Sequence, residues 1–99
     1  MTKDQALKSI ERLDKLIGSF GGPYNDEHTE FKAIVSSLRN GPLRDAYFRE
    51  KLFDLESQAS DGFSVRKFAN RTGELQKVKA WAIGSLDTAR NLIEQHWPE

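Results

Sequence analysis

The residues with the clearest potential for chemistry lie near the C-terminus, in the run ARNLIEQHWPE. This run contains Arg90, Asn91 and His96, with five residues between the arginine and the histidine. A histidine can act as a general acid or base near neutral pH, and an arginine can stabilise charge that develops on a phosphate. The chemistry that this pair could perform is therefore acid–base catalysis at a phosphate group.

The spacing of Arg90 and His96 bears on whether they could act together. On an ideal helix, residues six apart lie about 120° apart around the axis and about 9 Å apart along it. The two side chains would then reach one atom only with help from a partner subunit or a frayed helix end. We expect Arg90 to be a solvated residue and His96 to be a polar residue in the last helical turn, where a cation is favoured.

Arg90, Asn91 and His96 resemble the signature of the small all-helical HEPN ribonucleases, which place an Arg, often followed by Asn, four to six residues before a His. The resemblance implies metal-independent RNA cleavage with Arg90 and His96 as the catalytic residues. The family usually continues its helix beyond the His, whereas this sequence ends three residues after His96. A ribonuclease is the minor alternative, and we do not expect an enzyme.

A second candidate site is electrostatic and occupies residues 63–79. This segment has five basic residues against the single acid Glu74, and the basic residues are Arg66, Lys67, Arg71, Lys77 and Lys79. Interleaved with aromatic side chains, they could neutralise phosphates while bases stack on the rings, or they could bind an acidic protein. Over the whole chain, 15 basic residues balance 15 acidic ones. We therefore rank nucleic-acid or anion binding below protein binding.

Other catalytic chemistries find no support in the residues. The chain has no cysteine, which excludes disulfides, zinc–thiolate sites and thiol nucleophiles. The second histidine, His28, lies among the acidic residues Asp26, Glu27 and Glu30, but consecutive residues point in different directions and no second His or Cys is near. The run GSFGG lacks the Lys and the strand-to-helix context of a phosphate-binding loop. We expect no metal and no cofactor.

Helices must position all of these residues. Ninety-nine residues suit one domain, here 1–99. Apolar residues recur at helical spacing in four segments, which begin at Lys3, near Asp26, at Pro42 and near Gly73 and are separated by turns rich in Gly and Pro. The pattern predicts an all-α fold, a compact bundle of four main helices with the first and last in contact and the third central.

The segment before the last helix is ambiguous. The run SDGFSVRKFANRTG fits a strand or a helical turn, and we favour a loop with a short helix near 64–69.

In the last helix, mid-helix Trp81 is predicted to be largely buried and Trp97, near the terminus, less so. Gly84 costs this helix about 1 kcal/mol relative to Ala unless close packing or a bend requires it.

The N-terminus, MTKDQALKSIERLDKL, carries a charge every few residues. A signal peptide or a membrane span would need an unbroken apolar run, so the sequence predicts a soluble cytoplasmic protein with no membrane partner.

The run EFKAIVSSLRNGPLRDAYFREKL, followed by ELQKVKAWAIGSLDTARNLIEQHW, is similar to the helical N-terminal regions ahead of TIR-like and other effector domains in bacterial phage-defence proteins. The resemblance implies a module for self-association or for contacting a partner. No effector domain follows Glu99, so we expect an excised domain or a free-standing small protein. A phage or mobile-element protein that blocks a host protein fits equally well. The leading hypothesis is a non-enzymatic protein-interaction or oligomerisation module.

Overall fold

The computed structural model describes residues 1–21, 25–63 and 72–98. These residues form four α-helices, which are α1 (Lys3–Ile17), α2 (Asn25–Arg39), α3 (Ala46–Gly62) and α4 (Thr72–His96). Within the same residues there is no β-strand, so the predicted all-α bundle is confirmed. The short helix predicted near 64–69 lies outside the described residues.

The helices form a ring in which each one packs mainly against two others. α1 contacts α2 and α4, and α3 contacts α2 and α4, with the seam between α3 and α4 the most extensive. The predicted contact between the first and last helices is therefore confirmed. The predicted central position of α3 is wrong, because α3 has solvent on its outer side, where Tyr47 and Phe53 are exposed.

Local capping interactions determine where the helices begin. At α1, the predicted capping box is present: Gln5 N donates to Thr2 Oγ1 at 3.2 Å and Thr2 N donates to Gln5 Oε1 at 2.8 Å. α3 begins at Ala46 rather than at Pro42, because Phe48 N donates to the Asp45 carboxylate at 2.9 Å. An Asp at this position satisfies a backbone N–H that no helical carbonyl can reach.

One apolar core holds the four helices together. Its fully buried large side chains come from every helix and are Ile10, Leu13, Ile17, Phe31, Val35, Leu38, Phe48, Leu52, Leu55, Leu86 and Ile93. Polar contacts add little, since the side chains of the Arg12–Glu30 and Arg39–Glu56 pairs between neighbouring helices remain 35–50% exposed. Apolar burial is therefore the main source of stability.

The burial of the two tryptophans is the reverse of the prediction. Trp81 is 61% exposed, whereas Trp97 is only 8% exposed. The buried stripe of α4 runs through Val78, Ala82 and onward in steps of three and four to Ile93, and Trp97 continues it four residues later. Trp81 precedes Ala82 by one residue, which turns it about 100° around the axis and out of the core.

Aromatic side chains close the end of the bundle at which α1 and α3 finish. We call the set Phe20, His28, Phe31 and Phe63 the aromatic end. Beside it, Gly21 adopts a φ of 91°, and its N–H donates to the carbonyl of Gly62 at 2.7 Å. None of the helices in the described ranges combines the length and apolar content that crossing a membrane requires.

Candidate interaction surface

The side of α4 that faces away from the core carries an uncommon combination of residues. Lys77, Ala80, Trp81, Gly84 and Asn91 are all exposed, and their spacing places them on one face. We call this set the α4 outer face. Because the sequence predicts that Trp81 is buried, it does not reveal this surface.

Gly84 is the second unusual member of the α4 outer face. A Cβ added there would meet no atom within 4 Å outside its own stretch of helix. α4 continues through this position from Thr72 to His96, and Thr88 Oγ1 donates to the Gly84 carbonyl at 3.1 Å. Neither a packed neighbour nor a break in the helix accounts for the glycine. Its lack of a side chain leaves the backbone accessible one turn from the Trp81 indole.

Two exposed aromatic residues on α3 have different settings. Tyr47 is half-exposed on α3 and has the Lys51 ammonium 5.1 Å from its ring centroid. Phe53 is 66% exposed, but the exposed residues beside it on α3 include the charged Arg49 and Glu50. Single exposed apolar side chains are normal on protein surfaces. Trp81 is set apart by its small neighbours Ala80 and Gly84, which would let a second backbone approach closely.

The candidate catalytic pair lies on the C-terminal half of α4. Arg90 Nη1 lies 3.2 Å from Asp87 Oδ1, one turn earlier, and its side chain is about one-third exposed. His96 is the last residue of α4 and is exposed. In the described part of the chain no pocket forms, and no group of three His, Asp or Glu residues is close enough together to hold a metal ion.

The basic residues of the second candidate site are only partly described. Lys77 is exposed on the α4 outer face and Lys79 is half-buried on another side of α4. Arg66, Lys67 and Arg71 lie outside the described residues. Lys77 and Trp81 are four residues apart and therefore lie next to each other on the surface of α4. The proposed cluster of five basic residues stays a prediction.

One ion pair between helices changes the titration of its members. Arg12 Nη2 of α1 donates to Glu30 Oε1 of α2 at 2.9 Å, and its Nε donates to the other carboxylate oxygen. The hydrogen bond from Arg12 lowers the pKa of Glu30, and the same hydrogen bond raises the pKa of Arg12. Because both groups are exposed, the pair orients α1 on α2 more than it stabilises the fold.

Comparisons with known proteins give no relative: no family model, no curated protein and no solved structure matches this chain.

Proposed function

We propose that this chain is a non-enzymatic helical module that binds another protein, or a second copy of itself, through the α4 outer face. The observation that carries the proposal is the exposure of 61% of Trp81 beside a glycine that no other part of the described chain approaches. Tryptophan is among the residues most enriched at the energetic centres of protein interfaces.

The magnitude of the exposed surface is consistent with an anchor residue. A tryptophan presents up to about 250 Å², so 61% exposure leaves about 150 Å² in water. At about 25 cal/mol per Å², covering that area is worth about 4 kcal/mol. Association itself costs at least about 4 kcal/mol, so Trp81 requires the rest of the α4 outer face to contribute as well.

The composition of the face favours a helix as its partner element. Packed helices lie about 8–10 Å apart, and the shorter distances require small residues at the contact. Ala80 and Gly84 are such residues, and Lys77 and Asn91 provide polar groups at the two ends. A bacterial defence or mobile-element setting and a cytoplasmic location belong to the proposal, and the sequence resemblance and the charged N-terminus support them.

The experiment is a concentration series by size-exclusion chromatography with light scattering, on the wild type, Trp81→Ala and Phe53→Ala. Phe53 is the matched control, since it is equally exposed but lies on α3. We expect Trp81→Ala alone to reduce self-association. If the wild type is monomeric, affinity capture from a bacterial lysate with the same variants replaces the first assay. If Trp81→Ala and Phe53→Ala behave equally in the assay that is used, the proposal is contradicted.

Two other activities have distinct signatures. Binding of nucleic acid through Arg66, Lys67 and Arg71 would weaken with salt with a log–log slope of about −2 to −3, and charge reversal at all three residues would abolish it. Ribonuclease activity would require metal-independent RNA cleavage that disappears in Arg90→Ala and in His96→Ala while the fold survives. We expect neither result.

A further inference from the structure

His28 occupies an unusual position for an ionisable side chain. Its ring stacks on Phe63, with centroids 5.1 Å apart and planes inclined by 23°. Phe63 in turn packs edge-on against Phe20 and Phe31, so the imidazole belongs to the aromatic end. The histidine comes from α2 and Phe63 follows the last residue of α3. The stack therefore joins two helices at the end of the bundle.

Within the described residues, the hydrogen bonding of His28 suits its neutral form. Its Nε2 atom is buried and has no hydrogen-bond partner within the described residues. A neutral imidazole can leave Nε2 as a bare lone pair, whereas an imidazolium carries a proton on both nitrogens. Protonation in the closed stack would thus bury an N–H donor without an acceptor, which is costly.

The charged groups of the described residues do not favour the protonated form of His28. Of the three carboxylates on α2, Glu30 accepts hydrogen bonds from Arg12 of α1, Glu27 also acts on Arg12, and Asp26 is exposed. On α3 the nearest carboxylate in sequence is Asp61, which lies two residues before Phe63. No carboxylate of the described residues is among the causes that shift the pKa of His28.

Two cationic influences lie on α2 itself. Lys32 stands one turn after His28, and the four residues from Asn25 to His28 form the positive N-terminal turn of the helix. Desolvation, and then the charge of Lys32, lower the pKa of His28 below its ordinary value of 6.5. Attraction between an imidazolium and the face of Phe63 would oppose this shift.

We propose that His28 is a pH-sensitive latch, which closes the aromatic end when neutral and releases it when protonated. In the released state the ring is hydrated and titrates near its ordinary value, so the released state binds the proton more tightly. Closure is therefore favoured most above about pH 6.5 and loses this advantage as the pH falls toward the pKa of the closed state. Mild acid would loosen the contact of α2 with the end of α3.

Amide hydrogen exchange at Gly21 reports on the latch, because its N–H donates to the Gly62 carbonyl beside the stack. We expect protection of this amide to fall severalfold between about pH 7.5 and about pH 5, after correction for intrinsic exchange. His28→Phe keeps a ring in the stack but cannot titrate, so its protection should not fall. His96→Gln is the control, since it removes an exposed histidine at the opposite end, and it should fall as the wild type does.

Two further measurements keep the test decisive. Titration of the His28 ring by NMR should give a pKa below 6.5 in the folded protein. If His28→Phe does not fold, His28→Gln also removes the titration and takes its place. A ring pKa at or above the ordinary value, constant Gly21 protection in the wild type, or an equal loss of protection in the His28 variant would each overturn the proposal.

Discussion

Replacing Gly84 by alanine separates the stability of the monomer from its capacity to associate. Gly84 lies inside α4, and an added Cβ would meet no atom within 4 Å outside its own stretch of helix. In the monomer the substitution therefore removes the conformational freedom of glycine from the unfolded chain without introducing a clash. At a close helix–helix contact, the same methyl group would lie between two backbones.

The expected magnitudes have opposite signs. In a helix interior, alanine is more favourable than glycine by about 0.8–1.0 kcal/mol. Unfolding 99 residues carries an entropy of about 0.2 kcal/mol/K at the midpoint, so the Tm should rise by about 4–5 °C. If a partner backbone packs on Gly84, overpacking by one methyl group costs about 1–3 kcal/mol. The Kd should then rise by roughly 5- to 150-fold.

Thermal unfolding by circular dichroism and light scattering over a concentration series measure the two effects on the same samples. Ser57→Ala is the control, because Ser57 is exposed inside α3 and its replacement should stabilise a helix without touching the α4 outer face. A Tm that does not rise would show that the monomer itself requires the glycine. A raised Tm with unchanged association would show that α4 does not dock through this face.

Four further substitutions test the packing and the cap of α3. Gly62→Ala should lower the free energy of unfolding by about 1–3 kcal/mol in a denaturant titration, because its Cβ would overlap the ring of Phe20; an unchanged midpoint would contradict that contact. Trp97→Ala should lower the free energy of unfolding by about 3–5 kcal/mol, while Trp81→Ala should change it by no more than about 0.5 kcal/mol. The opposite order would show that Trp81, and not Trp97, belongs to the core. Asp45→Ala should lower the free energy of unfolding by about 1 kcal/mol in the same titration, because α3 loses its N-cap. An unchanged free energy would show that the cap does not stabilise the fold.

The apolar spacing and the turn residues were sufficient to predict four helices and an all-α bundle. Glycine and proline mark the connections between α1 and α2 and between α2 and α3, and the Thr2–Gln5 capping box uses only residues three apart. These features depend on neighbours in sequence, so they can be recognised without the tertiary structure. The first residue of α3 is less certain from the sequence, because both Pro42 and Asp45 are typical of helix starts. In the structure, the hydrogen bond from Phe48 N to the Asp45 carboxylate marks Asp45 as the cap.

Where apolar residues are adjacent in the sequence, only the tertiary structure decides which of them faces the core. Trp81 and Ala82 both fit an apolar stripe, and the stripe that packs on the neighbouring helices is the one that includes Ala82. A change of one residue rotates a side chain by about 100°, which is enough to exchange core for solvent. The stack of His28 on Phe63 joins residues 35 positions apart, so no local pattern could have revealed it. The candidate surface and the proposed latch thus depend on how the helices pack, because packing alone determines which of the available faces and rings meet.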